Sequence, residues 1–210
     1  MPDGHGALLF FVAALAVAIS PGPGMFYVAA RTLAAGRREG IASTLGTGLG
    51  GLVHVIAGAV GVSALVMASA EAFTLLKLAG AAYLIWLGVK TFRSAGQATI
   101  LLDPEASGWR RAFREGVIVE ALNPKTAAFF LAFIPQFVDP ALGGVAAQFV
   151  ALGLVSVVLN TLVDVVVTFL ASNVRASLIG RPLLIRRLRE GSGMMLCGLG
   201  ATLAVARRPA

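Results

Sequence analysis

Three stretches of this chain, 4–30, 40–70 and 140–163, contain no Asp, Glu, Lys or Arg. A hydrocarbon core about 30 Å thick takes roughly 20 apolar residues of helix to cross, and each stretch is long enough. Only 13% of the 210 residues are charged and 58% are hydrophobic, about half the charge share of a typical soluble domain. The chain therefore reads as an integral membrane protein. Residues 1–6 carry Asp3 and no basic side chain, and the apolar run behind them is long. The opening segment thus reads as a span and not as a cleaved signal peptide.

The expected fold is all-α with six spans, near 7–33, 41–69, 73–90, 113–138, 142–172 and 191–206. Of the 17 basic residues, most fall in alternate loops: Arg31, Arg37 and Arg38; Lys90, Arg93, Arg110, Arg111 and Arg114; Arg175, Arg181, Arg186, Arg187 and Arg189. Positive loops face the cytoplasm, so loops 31–40, 90–114 and 175–190 are expected inside and both termini outside. Arg207 and Arg208 run against this assignment. A net charge of +7 then reflects topology and contact with anionic lipid, not nucleic-acid binding. The segment "RPLLIRRLRE" at 181–190 is either an interfacial stretch or a charged tether.

The first span is interrupted by "ISPGPGMF" at 19–26. Proline inside a helix removes a donor and clashes with the preceding turn, at about 3 kcal/mol. The freed carbonyls find no water in lipid. Aligning Pro21 on Pro124 also aligns Phe10 with Phe113, Phe26 with Phe129, Ala29 with Ala132 and Gly40 with Gly143. One membrane domain made of two repeats follows, about 7–95 and 108–206, joined by a basic linker at about 91–112. Three spans per half put the halves in opposite orientation, so the repeat is inverted. Interrupted helices at matching places in such halves point to a transporter's substrate site.

Ser20 and Asn123 suit the N-cap position and proline suits the first helical position. Each break is therefore expected to restart a helix, at Pro21 and at Pro124. The positive end of a restarted helix favours an anion such as a carboxylate. Ser20, Pro21, Gly22, Pro23, Gly24, Asn123, Pro124 and Lys125 form the candidate substrate site on this reading. A kink that merely shapes packing is the other reading of each break.

Span 5 carries Ser156, Asn160, Asp164, Thr168 and Ser172 at four-residue intervals, a polar stripe that must face protein or water. Asn160 and Asp164 join the candidate substrate site, with Asp164 meeting an ammonium, carrying a proton, or pairing with Lys125. Span 2 repeats small residues at Ala42, Gly46, Gly50 and Gly58 around His54, a stripe that permits close helix approach within one chain or between two copies. His54 is either a proton relay or a hydrogen-bonded packing residue. Glu120, one turn before Asn123, is a further proton-coupling candidate or a partner for Lys125.

The chain has no phosphate-binding G-x-x-x-x-G-K-[ST] loop, no H-E-x-x-H and one cysteine, Cys197. These exclude self-contained ATP use, zinc proteolysis and disulfide relay. No enzyme activity, cofactor or metal is expected. A channel-like or ion-translocating protein and a non-transporting scaffold are the remaining alternatives.

The stretches "SPGPGMFYVAARTLAAGRREGIASTLGTGLGGLVH", "KLAGAAYLIWLGVKTFRS" and "LNPKTAAFFLAFIPQFV" resemble the LysE/RhtB family of amino-acid exporters. The resemblance implies six spans, export of basic, neutral or sulfur-containing amino acids and proton antiport, with Pro21, Gly22, Pro23, Asn123, Pro124 and Lys125 as functional positions. Members commonly carry Asn where this chain has Gly24, a departure that bears on the substrate.

Overall fold

The computed structural model describes residues 4–68, 70–95, 108–173 and 182–205, and among these every regular element is helical. Helix α1 (Gly4–Ile19) is followed by α2 (Pro23–Ala35), bent from it by 46° across the break. Next come α3 (Arg37–Ala68) and α4 (Ala70–Arg93), each a single continuous helix. Helix α5 (Trp109–Ala121) leads to the second break and the short α6 (Pro124–Ala128). The chain then runs on through a π-turn (Phe129–Phe133) and a 3-10 turn (Ile134–Phe137). Helices α7 (Val145–Asn173) and α8 (Pro182–Val205) complete the fold.

Among the described residues three stretches are long and apolar enough to cross a membrane: Arg37–Gly61, Trp109–Phe137 and Val145–Asn173. The bent α1–α2 pair qualifies as a fourth if it is one span. Part of the linker (96–107), Arg175, Arg181, Arg207 and Arg208 lie outside the described residues. The stretch 182–190, read as interfacial or tethering, is the continuous beginning of α8.

The first break restarts two residues later than the sequence suggested. Gly22, extended at φ −145°, is the N-cap of α2, and Pro23 takes the first helical position. Ser20 still belongs to the end of α1, its N–H donating to Ala16 O at 3.0 Å. The cause is local: a residue before proline is pushed out of the helical region, so Pro23 prevents Gly22 from continuing a helix begun at Pro21. The second break behaves as expected. Asn123 caps α6, its Oδ1 accepting from Lys125 N at 3.0 Å, with Pro124 next in line.

Packing is inverted relative to a water-soluble protein. Leu8, Ile56, Val60, Val158, Leu162 and Val166 are exposed, whereas Thr44, Thr47, Glu120, Asn123, Lys125, Asp164 and Thr168 are buried. Hydrocarbon accepts the first set and rejects the second. Phe129, Phe130, Phe133 and Phe149 are buried beside the second break, with Phe129 and Phe133 stacked at 5.2 Å between centroids.

The small-residue stripe of α3 works within one chain. A Cβ at Gly46 would run into the carbonyl oxygen of Phe113, and one at Gly50 would lie 2.5 Å from Val117 O. On the facing side, a Cβ at Gly116 would lie 2.7 Å from Ser43 O. Helices α3 and α5 thus meet backbone to backbone. Gly58 makes room instead for the ring of Phe149 on α7. Gly46→Val should wedge this seam apart and lower stability by about 2 kcal/mol. Thermal unfolding in detergent beside the parent protein checks this.

Side-chain bonds place the helix ends. Gly108 N donates to Glu39 Oε1 at 2.7 Å, so α5 begins where α3 begins. Arg37 Nε donates to Ser172 Oγ at 2.7 Å, so α7 ends there too. Helix α8 lies antiparallel along α4: Gly193 packs on Gly88 and Phe92, and Gly200 on Ala81 and Ile85.

Candidate functional site

The two breaks meet inside the bundle, joined by Lys125. Its backbone starts α6, but its side chain reaches the end of α1, where Nζ donates to Ser20 O at 2.8 Å and Val17 O at 3.1 Å. The last carbonyls of a helix lack partners along the chain and carry its negative end. A buried ammonium there is compensated without a carboxylate. Gly22 supplies the space, since a Cβ at that position would lie 3.0 Å from Lys125 Cε. Neither sequence-level pairing of Lys125, with Asp164 or with Glu120, appears as an ion pair among the described residues.

Glu120 is bound from its own side of the second break. Oε2 accepts from Asn123 Nδ2 at 2.8 Å and Oε1 from Thr126 Oγ1 at 2.6 Å. Its carbonyl accepts from His54 Nε2 at 2.9 Å, so His54 ties α3 to the end of α5. Gly24 lies directly against this carboxylate: a Cβ there would fall on Glu120 Oε2. The glycine at position 24 and the placement of Glu120 are therefore coupled, because any larger residue would displace one or the other.

Asp164 approaches from α7. Its Oδ2 accepts from Thr47 Oγ1 on α3 at 2.9 Å, and one turn further along, Thr168 and Thr44 share a hydrogen bond at 3.2 Å. The polar stripe of α7 thus faces α3 at Asp164 and Thr168, while Ser172 ends it against Arg37. Ser156 is buried and returns its hydroxyl to Leu152 O at 3.0 Å.

Glu120, Asn123, Lys125, Asn160 and Asp164 line one cavity. Thr47, Gly48, Gly51 and Thr161 line it too, with Met25 and Phe130 as its large apolar contacts. None of these six was singled out from sequence as lining a site. Thr47 carried a signal, a hydroxyl between two glycines of the α3 stripe; Met25 and Phe130 carried none that separates them from core. The cavity is about 20 Å³, roughly what one water molecule requires, so a larger solute enters only after the helices part. Ser20 is buried beside the cavity and takes part through its carbonyl; Gly22 and Gly24 take part as open space against Lys125 and Glu120. Pro21 and Pro23 shape the break, and Pro124 opens α6. Among the described residues no cluster of His, Cys, Asp and Glu is suited to a metal ion.

A second polar cluster closes the end of the bundle where α3 and α5 begin. Arg31, buried on α2, pairs with Glu115 of α5 and lies 3.6 Å from Glu39 of α3. Tyr27 OH donates to Ala112 O at 2.9 Å and accepts from Arg31 Nε at 3.2 Å. Arg111 adds a bond to Glu115 at 2.7 Å.

The family model described as LysE type translocator matches residues 15–207. The chain is 34% identical over 193 residues to a homoserine/homoserine lactone efflux protein of Salmonella typhimurium, covering 91% of this chain and 92% of that one. It is 32% identical over 205 residues to an uncharacterized membrane protein of Vibrio cholerae, covering 98% and 99%. A leucine efflux protein of Klebsiella pneumoniae is 28% identical over 137 residues, 63% of each chain. No solved structure matches the chain.

Proposed function

The chain belongs to the family of LysE type translocators, and on that premise we propose that it exports amino acids or close derivatives across the bacterial cytoplasmic membrane. It is a transporter and not an enzyme. One observation carries the substrate class: a buried ammonium, Lys125, and a buried carboxylate, Asp164, line the same cavity, while the Glu120 carboxylate beside them is already held by Asn123 and Thr126. A zwitterion is the guest whose charges complement that set. Its carboxylate goes to Lys125 and the Asn123 amide beside the N-terminus of α2; its ammonium goes to Asp164 and Asn160. Efflux of homoserine and of leucine by relatives favours a small neutral amino acid.

The six-span, inverted-repeat architecture belongs to the same proposal. Helices α1–α2, α3 and α4 of the first half, 7–95, correspond to α5–α6, α7 and α8 of the second, 108–206. Both halves open on a helix broken at proline. Because α5 begins and α7 ends where α3 begins, α4 has to return across the bundle, and α8 runs antiparallel to it. Six crossings account for those placements, with the basic loops in the cytoplasm and the termini outside. The cluster around Arg31 then closes the cytoplasmic side. Alternating access parts that cluster. The moving bodies are not the sequence halves: α3 is seamed to α5 and packed on α7, whereas α4 packs along α8. Rocking of the α4–α8 pair against the rest leaves the seam intact.

Proton antiport is the proposed energy source, with Asp164 as carrier. Glu120 shares the cavity with it, and both Glu120 and, behind it, His54 are already engaged in hydrogen bonds. The test is efflux from proteoliposomes loaded with labelled homoserine, threonine, leucine, lysine, arginine or cysteine, with and without a proton gradient. Saturable efflux of one class, accelerated by the gradient, is expected. Gradient-insensitive efflux removes the antiport, and no saturable efflux from folded, oriented protein removes the amino-acid reading in favour of ion passage or a scaffold.

A further inference from the structure

At the end of α4, away from the central cavity, lies a cleft of about 400 Å³ lined by Trp86, Val89, Lys90, Arg93 and Ser94. These residues recur every three or four positions, so they share one face of the helix. It is the face turned away from α8, which packs on Ala81, Ile85 and Gly88. Trp86 and Val89 are exposed, and so are Leu75 and Leu78 toward the other end of the helix. Lys90 Nζ sits over the Trp86 ring at 4.9 Å from its centroid. Neither Lys90 nor Arg93 forms an ion pair among the described residues.

We propose that this cleft binds the head group of an anionic phospholipid in the leaflet that holds the basic loops. Charge complementarity selects the occupant: two cations, with no described carboxylate partner, converge on an open cleft at the end of a lipid-facing helix. The phosphate lies between Lys90 and Arg93. Trp86 sits at the level where an indole ring is favoured, half in hydrocarbon and half at the head groups. The acyl chains run back along Val89, Trp86 and Leu78. Cation–π contact holds the Lys90 ammonium over the ring, where it still offers donors to the phosphate. A zwitterionic lipid brings its own ammonium and gains little from the pair. The site is independent of what the protein carries.

Tryptophan fluorescence tests this directly, because the chain has two tryptophans and Trp109→Phe leaves Trp86 as the sole emitter. The full-length variant is reconstituted into mixed phosphatidylglycerol–phosphatidylcholine vesicles in which one lipid or the other is brominated. Brominated phosphatidylglycerol is expected to quench Trp86 with a relative affinity about 5- to 25-fold above that of brominated phosphatidylcholine, about fivefold per basic residue. Adding Lys90→Gln and Arg93→Gln, both at exposed positions, should bring the ratio to about one while quenching by brominated phosphatidylcholine persists, showing the protein still inserted. A ratio near one before those substitutions, or a preference that survives them, overturns the site.

Discussion

Asp164→Asn is expected to lower efflux about 10- to 100-fold while leaving the protein folded. Asparagine keeps the size of the side chain and an oxygen for Thr47 Oγ1, now 2.9 Å from Asp164 Oδ2. What it loses is the negative charge facing a substrate ammonium, and a hydrogen bond to a charged group is worth about 1.5–3 kcal/mol. Stability should hold or rise slightly, because a buried carboxylate costs desolvation that a neutral amide avoids. The measurement is initial efflux rate against substrate concentration, beside a thermal melt of the same preparation. Unchanged efflux here and in Asn123→Ala would remove both residues from substrate binding. Efflux that becomes insensitive to the proton gradient but keeps its substrate affinity would assign Asp164 to the proton alone.

Lys125→Met should cost more, in both stability and transport. The ammonium is buried and donates to two carbonyls at the end of α1. Methionine fills similar volume but withdraws that donor from Ser20 O and Val17 O, at about 1.5–3 kcal/mol for each hydrogen bond to a charged group that is lost. It also leaves Asp164 and Glu120 lining a cavity without their one cation. A loss of about 3 kcal/mol in stability and of substrate-dependent efflux is expected, read by detergent melting and by the liposome assay. A stable Lys125→Met protein would mean that water reaches the break and replaces the ammonium. A stable protein with full efflux would remove Lys125 from substrate binding.

The breaks were legible because proline acts on its immediate neighbours. "LNPK" marked the start of α6 to the residue. "SPGPG" marked the interruption but not its phase, because two prolines compete and the second one controls the glycine between them. The polar stripe of α7 was legible from spacing alone, since side chains four apart share a face. The wiring across helices was not. Nothing near Lys125 in the chain indicates that it reaches Val17 and Ser20 in place of a carboxylate, because that choice depends on where α1 ends in space. Thr47 is similar: a threonine among glycines reads as packing until α7 brings Asp164 against it. Gly24 shows the reverse case: the Glu120 carboxylate, distant in sequence, occupies the space that a side chain at that position would need.

The seam between α3 and α5 also bears on how the protein is made. Helix α3 leaves the ribosome long before α5, yet the surface that Gly46, Gly50 and His54 present is completed by Phe113, Val117 and Glu120. Until the second half is inserted, α3 exposes a glycine-lined groove and an unmatched imidazole donor to lipid. The nascent first half is thus left waiting for its complement. Final assembly falls to the end of synthesis, when the later helices arrive to close over the earlier ones.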